Sequence, residues 1–163
     1  MLRIILSMVK SLEKIAKQKK IKYFLVTFVD LFGVQRAKLV PTRAIGEMQK
    51  TGAGFGGFAT HLDLSFSEPD MFALPDPDSL IQLPWQPDVG WLASDLVMND
   101  KFMDQCPRVI LKNQINNLDK LNLKMMTGVE CEFFILNEDG TEVADNRDDR
   151  SEEHTSELQS PVT

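Results

Sequence analysis

Two glutamates one residue apart, Glu130 and Glu132, stand inside the apolar run Gly128-Val129-Glu130-Cys131-Glu132-Phe133-Phe134-Ile135-Leu136. The β-branched and aromatic neighbours favour a strand over these residues. On a strand, alternate side chains share a face, which sets the two carboxylates roughly 7 Å apart. That spacing suits two neighbouring divalent ions, or one ion and a water. Hard oxygen ligands of this kind match Mg²⁺ or Mn²⁺ working with phosphates. The plainer alternative is a half-buried strand with a wet, acidic face. Two unpaired carboxylates in an apolar strand repel, and a cation removes that cost.

A second feature is the loop Gly52-Ala53-Gly54-Phe55-Gly56-Gly57-Phe58-Ala59-Thr60-His61. It lacks the Lys-Ser/Thr ending of a P-loop. It does not open a helix after a strand, as a dinucleotide fingerprint does. The stretch runs on to Asp70 with little periodicity, and loops of that length are functional or disordered. Phe55 and Phe58 argue against disorder. Either a ligand or another subunit fits as the partner of such a loop. His61 reads as a hydrogen-bonding loop residue rather than a ligand. No G-x-S-x-G elbow is present, and nothing points to a nucleophilic triad.

The elements that must position these groups follow from local pattern. Residues 8–20 place Leu12, Ile15 and Ala16 among five lysines, an amphipathic helix. Tyr23 to Asp30 and Val34 to Val40 are strands joined by the turn Leu31-Phe32-Gly33, and Pro41 ends the second. Thr42 is the expected N-cap of a short helix over Arg43 to Lys50, stopped by Gly52. Leu74-Pro75-Asp76-Pro77-Asp78-Ser79-Leu80 is extended and turn-rich. Ser79 to Leu83 and Gly90 to Met98 are further strands, with Trp85 and Trp91 expected in the core. Pro107 opens a helix on which Val109, Ile110, Gln114, Ile115, Leu118 and Leu121 recur. Gly128 to Leu136 is the strand that carries the glutamates.

Arg150 to Ser160 reproduces, residue for residue, the translation of a common short-read sequencing adapter. Residues 150–163 are therefore expected to be an artefact and are set aside. Without their one Arg and three Glu, the formal charge moves from -6 to -4, and His61 is the one histidine left. An acidic chain excludes bulk electrostatic binding to nucleic acid or an anionic membrane. Cys106 and Cys131 are far apart, so reduced thiols in a cytoplasmic protein are expected. The apolar start, Met1 to Val9, is too short to span a bilayer and is read as an extension ahead of the first helix.

Taken together, Val29-Asp30-Leu31-Phe32-Gly33, the Gly/Phe loop, Leu74-Pro75-Asp76-Pro77, Pro107-Arg108 and Gly128 to Phe134 resemble, in order and spacing, the glutamine synthetase family. The likeness covers nearly all of residues 10–149 and extends to the branch of type III and γ-glutamylmethylamide synthetases. It implies an α+β fold. An N-terminal helix and extension occupy residues 1–20 and a β-grasp-like domain residues 21–103. The start of a truncated catalytic α/β domain follows over residues 104–149. The implied chemistry is phosphorylation of the glutamate γ-carboxylate by ATP, then attack by ammonia on the acyl phosphate. Two Mg²⁺ or Mn²⁺ ions clamp the phosphates, and the complete enzyme is a homo-oligomeric ring. By motif position, Glu130 resembles the ligand of the ion nearer ATP, and Glu132 a ligand of the ion nearer glutamate.

One departure bears on the acceptor. Family members carry an Asp after the loop's Phe, serving ammonium at the neighbouring subunit's site. Here Phe55 is followed by Gly56-Gly57-Phe58. The resemblance therefore also admits a γ-glutamyl-amine ligase acting on an amine such as methylamine. Residues 1–149 alone are expected to be inactive, because the family's remaining ligands and arginines lie downstream. A rival from another class is a non-enzymatic β-grasp interaction module whose acidic strand is a solvated face.

Overall fold

The computed structural model describes residues 10–130 and 133–144. The chain divides into two compact units, Met1–Leu123 and Lys124–Thr163. The first unit opens with helix α1 (Leu12–Lys19), whose N-cap Ser11 accepts the Lys14 N–H. Leu12 and Ala16, one turn apart, are its buried face. Strands β1 (Tyr23–Val29) and β2 (Gln35–Pro41) form an antiparallel hairpin with Tyr23 opposite Pro41 and Val29 opposite Gln35. Helix α2 (Thr42–Thr51) follows directly. Thr42 is not its cap: the hydroxyl instead donates to the Ile21 carbonyl at 2.8 Å, tying the helix start to the segment between α1 and β1.

The rest of the sheet is β3 (Ala53–Phe55), β4 (Met71–Pro75), β5 (Ile81–Gln82), β6 (Val89–Met98) and β7 (Lys101–Phe102). The order is β2-β1-β6-β4-β3, with β5 and β7 also paired to β6. β6 runs parallel to β1 and antiparallel to β4. A parallel pair needs a crossover, and α2 with the following strands supplies it. The core gathers Phe24, Val26 and Phe28 of β1, Leu92 and Leu96 of β6, Met71 and Ala73 of β4, Ile45 of α2, and Leu12 and Ala16 of α1. The fold is thus mixed α+β, as expected.

Several expectations change in detail. β3, β4 and β7 were not anticipated as strands. The Gly/Phe loop starts as β3, paired to Met71–Ala73 of β4. β4 runs up to Pro75, whose missing N–H is tolerated at the strand end. Trp85 is 79% exposed and outside the core. Helix α3 (Pro107–Lys120) packs within the first compact unit, which closes at Leu123. Its Val109 enters the core, and Arg108 pairs with Asp76 and Asp95.

In the second unit no strand forms over the described part of Gly128 to Leu136. Its one pairing is an isolated bridge between Leu136 and Val143. A strand needs a neighbour for its backbone N–H and C=O groups, and β-propensity without one does not make a strand. The Asn137–Thr141 turn between the bridged residues closes through the Thr141 N–H, donated to the Asn137 side-chain oxygen at 3.0 Å and to the Asp139 carboxylate at 2.9 Å.

The hairpin turn carries a buried carboxylate. Asp30 accepts the N–H groups of Phe32 at 2.9 Å and Val34 at 3.0 Å, and Arg36 Nε at 3.0 Å. Gly33, at φ 77°, lets the chain reverse over it. Burial works to raise the Asp30 pKa, but the Val34, Arg36 and Phe32 donors outweigh it and hold the group below its ordinary value. A depressed carboxylate contributes stability that is complete above its unfolded pKa, about 3.9, and lost as pH falls through the folded value. Asp30→Asn is therefore expected to lower stability at neutral pH, with the gap to wild type closing in acid. Urea midpoints at pH 7 and pH 3 measure this, and a pH-independent gap refutes the ionic role.

Candidate functional site

The first unit assembles the Gly/Phe loop from both sides. α2 is capped by Gly52, whose N–H donates to the Met48 carbonyl at 2.8 Å. Its φ of 81° and ψ of 165° swing the chain into β3. Phe55, the last residue of β3, packs edge-on against Phe28 of β1, with ring centroids 5.0 Å apart at 87°. After Gly56 a single 3-10 turn covers Gly57–Ala59. Gly57 is buried, and a Cβ there would meet Leu64 Cδ1 at 2.5 Å. At Gly56 the backbone is ordinary, and a Cβ would stand 3.1 Å from the Phe58 ring. Phe58 therefore occupies the space beside the position where an acidic side chain would project. Its ring stacks on exposed Phe66, 4.4 Å between centroids.

Lys38 of β2 reaches across to this loop. Its ammonium lies 4.9 Å from the Phe55 ring centroid and donates to the Gly54 carbonyl. His61 joins the hairpin to the loop. Its carbonyl accepts the Leu31 N–H at 3.4 Å, and its ring meets Phe32 edge-on at 5.5 Å. The structure thus brings Phe55, Gly56, Gly57 and Phe58 together with Lys38, Phe66 and the hairpin tip. Sequence reasoning singled out neither Lys38 nor Phe66. Their partners lie sixteen and eight residues away, and the Lys38 contact depends on tertiary packing.

The glutamate pair belongs to the second unit. Glu130 is exposed and belongs to no strand or helix. Glu132 and Cys131 lie outside the described residues. Two carboxylates are a hard-oxygen donor set that fits Mg²⁺ or Mn²⁺ in kind. Among the described residues, no group of three or more His, Cys, Asp or Glu side chains converges to complete such a site. Cys106, by contrast, is a buried free thiol at the start of α3.

An ionic cluster stands apart from these groups. Arg108, the second residue of α3, donates Nη2 to Asp76 and Nη1 to Asp95, each at 2.6 Å. Lys112 Nζ donates to Asp95 at 2.6 Å. Burial would raise the Asp76 pKa, but the Arg108 guanidinium and the Asp78 N–H hold it below the usual carboxylate range. No helix among the described residues is long and apolar enough to cross a membrane.

A family model for "Glutamine synthetase, catalytic domain" matches residues 104–161. The glutamine synthetase of Rhizobium leguminosarum bv. phaseoli is 52% identical over 141 residues, 86% of this chain and 32% of that protein. The glutamate–methylamine ligase of Methyloversatilis universalis is 32% identical over 126 residues, 76% of this chain and 28% of that protein. A solved structure of a GmaS/ADP complex superposes with a TM-score of 0.79 at 48% identity, covering 87% of this chain and 33% of that one. The chain spans about a third of the length of the curated relatives it matches.

Proposed function

Because the chain belongs to the glutamine synthetase family over the third of its relatives' length that it spans, we propose that it is part of an ATP-dependent carbon–nitrogen ligase. The reaction is glutamate, ammonia and ATP to glutamine through γ-glutamyl phosphate. The observation that carries this reading is 52% identity to a glutamine synthetase over 86% of the chain. Glu130 and Glu132 are the residues that would hold the divalent ions. When bound, such ions neutralise the phosphate charge that develops in phosphoryl transfer. The sheet is read as β-grasp-like: a hairpin, a helix across it, and a later strand parallel to the first. The complete enzyme is proposed to be a cytoplasmic homo-oligomeric ring, in which residues 55–58 serve a neighbouring subunit's amine site. Residues 150–163 remain assigned to adapter sequence, which the genomic reading frame beyond codon 149 tests.

A second reading has a specific observation in its favour. Gly56 offers no carboxylate to an ammonium ion, and Phe58 fills the adjacent space. A methylated amine tolerates an apolar neighbour that ammonium does not favour. The acceptor would then be methylamine. The deciding assay uses the full-length parent enzyme with ATP, glutamate, Mg²⁺ and competing ammonium and methylammonium. Amide formation with ATP hydrolysis supports the ligase, and its absence with both amines refutes it. Strong preference for ammonia removes the second reading. Residues 1–163 alone are expected to give no turnover.

The ligand role has its own readout on this chain. Mn²⁺ is expected to broaden the NMR signals around Glu130 selectively, and Glu130→Ala and Glu132→Ala should each weaken that effect. Broadening that is uniform over all acidic residues, or unchanged in both variants, assigns the glutamates to a solvated face.

A further inference from the structure

Lys38 is an exposed lysine on the outermost strand, yet among the described residues no carboxylate pairs with it. Its ammonium is received by the Gly54 carbonyl and the face of the Phe55 ring. That pairing of groups is how proteins recognise an alkylammonium: one acceptor for an N–H, and an aromatic face for the rest of the cation. Neither group is free to follow the lysine. The Gly54 carbonyl is fixed within β3, which pairs with β4, and Phe55 is held edge-on by Phe28. The receptor is therefore built by the fold, whereas the lysine is a flexible side chain seated in it.

We propose that the Gly54 carbonyl and the Phe55 face form a cradle for a small primary alkylammonium ion, and that Lys38 is its internal occupant. A lysine side chain ends in a CH₂–NH₃⁺ group, the tethered equivalent of methylammonium. A free amine at sufficient concentration takes the same place, and Lys38 swings into solvent. Because a tethered competitor acts at a high effective concentration, it lowers the apparent affinity of the free amine. The relevance to catalysis rests on reading residues 55–58 as the amine loop. The binding event itself does not.

The test is an NMR titration of the whole 163-residue chain with methylammonium chloride. In Lys38→Ala, the Gly54 and Phe55 signals should shift saturably, with a half-saturation about tenfold lower than in wild type. Tetramethylammonium, which has no N–H to donate, should bind more weakly, and sodium chloride at equal ionic strength should give no saturable shift. Lys38→Met, which keeps the apolar stem, should behave as Lys38→Ala does and covers the case in which the alanine variant fails to fold. Equal responses of wild type and the folded variant overturn the cradle, as does a sodium response that matches methylammonium. If the variant binds methylammonium but the full-length enzyme makes no amide, the ligase reading fails and the cradle stands. If amide forms without this binding, the cradle alone fails.

Discussion

Replacing Gly52 by alanine is expected to destabilise the first unit by about 2–4 kcal/mol and to displace the loop it launches. Two costs combine. At φ 81° and ψ 165° the backbone sits in a region that only glycine occupies readily. The added Cβ would also stand 2.9 Å from Phe72 Cβ and 3.1 Å from the Ala73 carbonyl oxygen. Both atoms belong to the backbone and first side-chain carbon of β4, so neither can rotate away. Relief requires β3 and β4 to separate, which breaks the register that sets Phe55 against Met71. Gly33 is the matched control. It too has a positive φ, 77°, but a Cβ there meets nothing within 4 Å. Gly33→Ala is therefore expected to cost only about 1 kcal/mol, the strain alone. Urea unfolding with tryptophan or circular-dichroism detection measures both. Equal losses for the two variants would show that β4 gives way more easily than the close approach implies.

The contrast between these glycines marks what the sequence discloses and what it withholds. The hairpin is legible because β1 is rich in Val and Phe, β2 alternates apolar and polar residues, and the turn holds Asp30 and Gly33, all local signals. α1 and α3 were legible from helical spacing and from Pro107. β3 was not, because Ala53-Gly54-Phe55 has no strand propensity of its own and is a strand only beside Met71–Ala73. Of β4, only Leu74-Pro75 lies in the stretch expected to be extended, and its pairing to β6 is tertiary. The same limit applies to the loop. Phe55, Gly56, Gly57 and Phe58 were found by composition. The ammonium over Phe55 comes from β2, and no local pattern predicts that meeting. The reverse error occurred at Gly128 to Leu136, where local propensity was strong and the neighbouring strand it needs is missing from the described residues.

Arg108→Met is expected to destabilise the first unit by about 2–3 kcal/mol at neutral pH. Removing one member of a buried charge pair typically costs about 3–5 kcal/mol, because the partner is left uncompensated. Here the side chains of Arg108, Asp76 and Asp95 keep 28%, 23% and 13% of their exposure, so water relieves part of that cost. Methionine retains most of the apolar stem, which isolates the loss of charge. Without the guanidinium, two aspartates face each other with Lys112 as their remaining cation, 2.6 Å from Asp95 and 3.8 Å from Asp76. The pH dependence has a fixed sign. The folded Asp76 pKa is depressed, so its contribution is complete above about pH 3.9 and lost as pH falls through the folded value. The difference between wild type and Arg108→Met should therefore shrink in acid. Adding Asp76→Asn and Asp95→Asn to Arg108→Met should recover part of the stability, since amides carry no unpaired charge. The site of the loss is also predictable. Arg108 pins the first turn of α3 to β6 and to the residue after β4, and the segment matched to the family's catalytic domain begins at residue 104. Amide exchange should accelerate in α3 before it does in β1 or β6. Uniform acceleration across the sheet would mean that the cluster supports the whole unit and does not act as the anchor of that helix.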